Sequence, residues 1–179
     1  MYLASCYTFL KEIYLMKTLY IMRHAKSSWK FEELSDHDRP LNKRGRNDAP
    51  LMGQELAANN AQLQLILSSP AVRALTTATL VARELDYDAD DIAVNDRMYG
   101  ASAEELLEIA REAPADVDSM MMVGHNESIS EFANMLSPKH VASMPTAGVV
   151  ALRFNCDSWY DIKRDNAELL FYDVPKNHK

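Results

Sequence analysis

At 179 residues, with 47% hydrophobic and 25% charged residues, the chain suits one domain with a substantial core. Its net charge of −7 argues against the basic surface on which nucleic-acid affinity rests, and no apolar run approaches the ~20 residues that cross a bilayer. Neither nucleic acid nor membrane is therefore an expected partner. Cys6 and Cys156 form neither a CxxC pair nor a ligand cluster, and read as reduced thiols of a cytoplasmic protein. The charge is unevenly spread: residues 17–46 hold eight Lys and Arg against four acidic residues, whereas residues 47–179 are strongly acidic. An acidic body with one basic segment points to a local anion site.

Residues 1–16 lack the basic start of a signal peptide, and Lys11-Glu12 interrupts their apolar stretch, so they are expected to be an extension ahead of a domain over 17–179. Leu3, Tyr7, Leu10 and Tyr14 make one helical stripe there. From Lys17 strand and helix patterns alternate. Residues 17–22 predict a strand and 27–41 a polar loop. Asn42 caps a helix to about Asn59 with Leu51, Leu56 and Ala57 on its inner face. "LQLILSS" (63–69) is a second strand, and Pro70 starts a helix through about Leu85, at a position where proline is tolerated. "DIAVND" is a short third strand, and a helix runs from Ser102 or Ala103 to about Glu112. "SMMMVGH" (119–125) is a fourth strand, its methionines reading as core, and a helix covers 127–136. "GVVALRF" (148–154) and "AELLFYD" (167–173) are later strands, with "SWYDIKR" between them a candidate third. Repeated βα units imply an α/β fold, a mostly parallel sheet with helices on both faces and its sites at the carboxyl ends of the strands.

Three of those strands end on polar groups: Arg23-His24 after the first, Ser68-Ser69-Pro70 with Arg73 one turn into the next helix, and Gly124-His125-Asn126 after the fourth. Parallel packing brings these ends to one edge. Two guanidinium forks match phosphoryl oxygens, and an imidazole can serve as nucleophile or proton donor. His37, His140 and His178 lie in polar stretches and read as exposed. No His, Asp or Glu group shows the spacing of metal ligands.

Together "YIMRHAKSS", "SSPAVRALTTA" and "VGHN" resemble the histidine phosphatase superfamily, with its phosphoglycerate-mutase-like fold, over residues 17–173. The short length and "DRPLNKRGRNDA" resemble its SixA-type branch, the phosphohistidine phosphatases. The resemblance implies a three-layer α/β/α sandwich around a mixed sheet and a hydrolase without metal or cofactor. His24 then matches the phosphorylated histidine, Arg23 and Arg73 the arginines on the phosphoryl oxygens, and His125 the second pocket histidine. Lys26, Ser27, Arg39 and Asn126 are candidates for substrate binding, and Lys43, Arg44 and Arg46 could extend a basic rim.

Two departures stand out. Ala25 follows the histidine where many members have glycine, and the region that carries a general acid in larger members is only "NDRMYGASAEELLE". Asp96, Glu104 and Glu105 are available there, and none is assigned that role. The expected substrate is a protein phosphohistidine. A small phosphorylated metabolite or phosphosugar is the alternative within the same chemistry, and a non-catalytic phosphoprotein-binding module is the alternative outside it.

Overall fold

The computed structural model describes residues 16–179. Of the expected extension only Met16 is included, as the first residue of a strand; the stripe of Leu3, Tyr7, Leu10 and Tyr14 lies outside the described residues, as does Cys6. Strand β1 is Met16–Arg23 and helix α1 Lys43–Ala58. There follow β2 (Leu65–Ser68), α2 (Val72–Glu84), β3 (Ala93–Val94) and α3 (Ala103–Arg111). The chain ends with β4 (Ser119–Gly124), α4 (Ser128–Leu136), β5 (Val149–Asn155) and β6 (Ala167–Asp173).

The six strands form one sheet in the order β3-β2-β4-β1-β5-β6. The first four in that order are mutually parallel, whereas β5 pairs antiparallel with both β1 and β6. The sheet is thus mixed, with its parallel half carrying the βα units. Alternation along each strand sorts the core onto two faces. Leu19, Ile21, Met120 and Met122 pack against Leu106 and Ile109 of α3 and Ile129 and Phe132 of α4. Tyr20, Met22, Met121 and Val123 pack against Ala49, Met52 and Leu56 of α1 and Ala74, Ala78 and Val81 of α2. This is the three-layer sandwich, and the three consecutive methionines are core on both faces.

Several local expectations need correction. α2 begins at Val72, not Pro70, because the Ser69 amide still bonds to Val123 O at 3.1 Å and keeps the chain on the sheet edge. α1 is capped by Asn42, whose Oδ1 accepts from the Gly45 amide at 2.9 Å. Its inner face is Gly45, Ala49, Met52, Gly53 and Leu56; Leu51 is half-buried and Ala57 exposed, being turned away by the 3.6-residue period. "DIAVND" yields only two strand residues, since Asp88 and Asn95 cap short 3-10 turns on either side. "SWYDIKR" is not a strand: Trp159–Asp161 is a 3-10 turn that drops the Trp159 indole into the core, where its Nε1 donates to Val117 O at 2.7 Å. Among the described residues no helix is long and apolar enough to cross a membrane.

One contact ties the packing to the site. α1 crosses the chain just beyond β1 so closely that a Cβ on Gly45 would lie 2.2 Å from Lys26 O. Only glycine permits that approach, and the Asn42 amide donates to the same Lys26 carbonyl at 2.9 Å. Gly45→Ala is expected to cost about 1–3 kcal/mol in urea unfolding, as an overpacked contact does. It should also lower turnover, since the displaced backbone lies two residues after His24.

Candidate active site

β1 and β4 are paired so that Arg23 faces Gly124, and the residues that follow, His24 and His125, emerge side by side. Their rings lie 5.2 Å apart, centroid to centroid. The His24 amide donates to Gly124 O at 3.0 Å, which locks the two strand ends together. From the other side, β2 ends at Ser68 and its turn delivers Arg73 in the first turn of α2. The Arg73 side chain is buried, and its Nε donates to His24 Nε2 at 3.3 Å.

The ring of His24 has its tautomer set by this frame. Nδ1 lies 2.7 Å from Ala25 O, a carbonyl that can only accept, so Nδ1 carries the proton and Nε2 presents a lone pair. Burial pushes the His24 pKa from 6.5 down to about 3; the bond to Ala25 opposes this, and His125, Arg73 and Arg23 add to it. His24 is therefore neutral at physiological pH, as a nucleophile must be. His125 is lowered to about 4, by burial and then by Arg73. Its Nε2 lies 2.7 Å from Ser69 Oγ. The Ala71 amide donates to the same oxygen at 3.4 Å.

Two buried nitrogens of the site, Arg23 Nε and His125 Nδ1, have no hydrogen-bond partner among the described residues. Groups of this kind are costly unless a ligand completes them. Arg23 is aimed by its Nη1, which donates to Met144 O at 2.7 Å. Ala147 lies beneath the pair with φ +61°, a conformation costly for alanine, and its amide reaches both the Arg23 and His24 carbonyls at 3.2 Å.

A residue that sequence reasoning missed organises the mouth. Asp36 accepts Arg73 Nη2 at 2.8 Å and Tyr99 Oη at 3.0 Å on Oδ2, and Arg39 Nη1 at 2.7 Å on Oδ1. Its backbone carbonyl takes Arg73 Nη1 as well. Burial alone would raise the Asp36 carboxyl, but hydrogen bonds from Arg73, Tyr99 and Arg39 hold it below the usual carboxylate range. Asp36 is thus an ionised counter-charge and a poor proton donor. The one available signal was an acidic residue inside the basic segment.

A cavity of about 200 Å³ is lined by Arg23, His24, Lys26, Ser27, Trp29, Arg39, Arg73 and Thr146. Lys26 is exposed, whereas Ser27 and Arg39 are buried and bonded to each other, Nη2 to Oγ, at 2.5 Å. Asn126 does not line this cavity; it bonds Ser143 and Ser130 behind His125. Arg44 pairs with Asp48, and Arg46 donates to Leu41 O. Of the three acids considered, Glu105 is spent in the capping box of α3, and neither Asp96 nor Glu104 lines the cavity. Among the described residues, the His, Asp and Glu side chains close enough to share a metal ion are Glu55, Asp173 and His178, and none of them lines it either.

A neutral imidazole whose Nε2 lone pair meets an arginine N–H that a phosphoryl oxygen can draw away, at the carboxyl edge of a parallel sheet, is the arrangement of a phosphoryl-transfer site that works through histidine. Comparison with known proteins agrees. The family profile of the histidine phosphatase superfamily (branch 1) matches residues 19–141, and the chain belongs to that superfamily. An uncharacterized protein of Mycobacterium tuberculosis is 32% identical over 165 residues, covering 87% of this chain and all of the relative. An Agrobacterium tumefaciens structure, provisionally described as the phosphohistidine phosphatase SixA, matches with a TM-score of 0.73 at 29% identity, over 89% of this chain and 99% of the other. The fold is also shared by a mycobacterial glucosyl-3-phosphoglycerate phosphatase, with a TM-score of 0.60 at 16% identity over 89% and 99% of the two chains.

The lowered histidine pKa values have a measurable sign. Between pH 6.5 and about 4 the unfolded chain protonates His24 and His125 while the folded chain does not, so these groups remove stability as the pH falls through that window. In an NMR titration of the imidazoles, both rings should stay neutral down to about pH 5. A midpoint near 6.5 for His24 would contradict the geometry.

Proposed function

We propose that the chain is a metal-independent phosphohistidine phosphatase, one catalytic domain over 17–179, that acts on protein phosphohistidine in the cytoplasm. The observation that carries this reading is the bonding of His24, Nδ1 on Ala25 O and Nε2 facing Arg73, in a cavity lined by no carboxylate among the described residues, while Asp36 at its mouth is committed to Arg73, Arg39 and Tyr99. His24 Nε2 attacks phosphorus in line, a new N–P bond forms, and the bond from phosphorus to the substrate imidazole breaks. The substrate ring, protonated from solvent at its other nitrogen, takes the bond's electron pair and leaves as neutral imidazole. Water then attacks the phosphorylated His24, releasing inorganic phosphate and restoring the Nε2 lone pair. Arg23, Arg73 and the His125 imidazole stabilise charge on the equatorial oxygens, a matter of placement and electrostatics. Lys26 and Ser27 complete the lip. Buried Arg39 acts from behind it, through Asp36 and Ser27.

The lack of a carboxylate acid bears on the substrate. Expelling a serine or sugar alkoxide needs a proton at the leaving oxygen, and a positioned acid contributes about 10²–10⁴-fold. The imidazole of phosphohistidine needs no dedicated acid, because its other ring nitrogen, with a reference pKa of about 6.5, takes a proton from solvent and the ring then leaves neutral. The described likeness of the Agrobacterium protein to SixA supports the same substrate class.

Steady-state assays on a substrate panel test this. The expected order is phosphohistidine, then aryl phosphate, then alkyl or sugar phosphate, the last slower by at least about 10²-fold. His24→Ala should abolish turnover, and Arg23→Ala or Arg73→Ala should each cost about 10²–10³-fold. Asp96→Asn and Glu104→Gln should stay within a few-fold, and exhaustive chelation should leave the rates intact. A sugar phosphate as best substrate would favour the small-metabolite reading. Absence of turnover on every substrate would favour a binding module, and activity lost to chelation and restored by Mg²⁺ would overturn metal independence.

A further inference from the structure

Trp29 stands out at the catalytic cavity. It lines the same space as Arg23, His24 and Arg73, and it is the only large apolar side chain among those lining residues. It is nevertheless 73% exposed, whereas Trp159 is buried in the core. An indole left in water beside a cationic pocket is unfavourable by burial alone, so its placement needs another cause.

Its orientation is fixed by Arg39. The Arg39 guanidinium carbon lies 3.2 Å from the indole centroid, so one face of the ring is covered by a cation. That guanidinium cannot turn: Nε donates to Ser28 O at 3.1 Å, Nη1 to Asp36 at 2.7 Å and Nη2 to Ser27 Oγ at 2.5 Å. All three nitrogens are committed, and Arg39 is only 7% exposed. The indole plane is thereby held against a rigid support, and most of the rest of the ring is exposed at the cavity it lines.

In-line attack says what an exposed ring there can meet. With half-buried His24 as the nucleophile, the leaving atom lies on the far side of phosphorus, the solvent side, and Trp29 is the exposed ring of the same cavity. We propose that the exposed ring of Trp29 is a stacking platform for the leaving group, so that the site selects phosphoryl groups carried on a planar unsaturated ring, the imidazole of phosphohistidine first among them. This deepens the phosphatase reading and rests on His24 as the nucleophile. Arg39 is a positioning residue for the platform.

Two measurements test it. In the first, kcat/KM is determined for phosphohistidine and for phosphoramidate, which carries no ring. Trp29→Ala should lower the ratio of the two by about 3- to 10-fold, the worth of one aromatic stack, and Trp29→Phe should restore most of it. A purely structural role for Trp29 in holding Arg39 would lower both rates alike and leave the ratio unmoved, which would overturn the proposal. In the second, calorimetry compares phenylphosphonate with methylphosphonate. The wild-type protein should prefer the phenyl compound, and Trp29→Ala should reduce that preference by a similar factor. A preference absent from the wild type, or undiminished in Trp29→Ala, would overturn the platform. Because this second measurement needs no turnover, failure of the phosphatase reading would show in the first assay alone.

Discussion

The imidazole of His24 is held by two hydrogen bonds of opposite sense, donating from Nδ1 to Ala25 O and accepting at Nε2 from Arg73 Nε. The first bond decides which nitrogen is basic. The second aims that nitrogen at the place where a guanidinium waits for phosphoryl oxygens. The second cannot form on a protonated ring, since His⁺ has no acceptor, so burial and the neighbouring cations must keep the proton off. The sheet supplies this geometry through strand register. β1 and β4 end together, β2 hands Arg73 in from the side, and Gly45 lets α1 press against the carbonyl of Lys26. Ala25 fits the same design: its methyl is fully buried, and its amide donates to Thr77 Oγ1 at 2.9 Å, which steadies the carbonyl that fixes the tautomer.

Concentrating guanidinium groups around one histidine carries an electrostatic cost, and Asp36 offsets part of it. Its carboxylate serves Arg39 and Arg73 at once, from a loop that is itself anchored to α2 by the Val72 amide on His37 O at 3.0 Å. Among the described residues Arg23 has no such counter-charge, and its Nε is left without a partner. The free site therefore holds one arginine neutralised by protein and one unneutralised. A phosphoryl dianion arriving between them gains charge-assisted hydrogen bonds from groups that are already in position, and little reorganisation is needed.

Much of this could be read from the amino-acid sequence, for identifiable reasons. Fully buried parallel strands are short apolar runs, and such a run stopping at Arg23-His24, Ser68-Ser69 or Gly124-His125 marks a sheet edge where polar groups are tolerated. The layered fold followed from the same alternation of runs and amphipathic stretches. What stayed hidden depended on tertiary contact. Asp36 looks like any loop acid until Arg73 and Tyr99, from distant parts of the chain, join neighbouring Arg39 on it. Arg39 looks like a surface cation, yet its guanidinium is buried and fully committed. The inner face of α1 was misjudged because Ala57 is apolar but turned to solvent, while the helix packs through Gly45 and Gly53, which periodicity of large side chains does not register. "SWYDIKR" has strand-like residues, but Ser158 caps a turn and Trp159 is needed as a core plug.

The most direct test is to ask which nitrogen becomes phosphorylated. Enzyme carrying nitrogen-labelled histidine is mixed briefly with phosphoramidate and quenched in alkali, and phosphorus–nitrogen coupling is read by NMR. The tautomer set by Ala25 O places phosphorus on Nε2 of His24. Phosphorus on Nδ1, on His125, or on an acid-stable oxygen ester would contradict it.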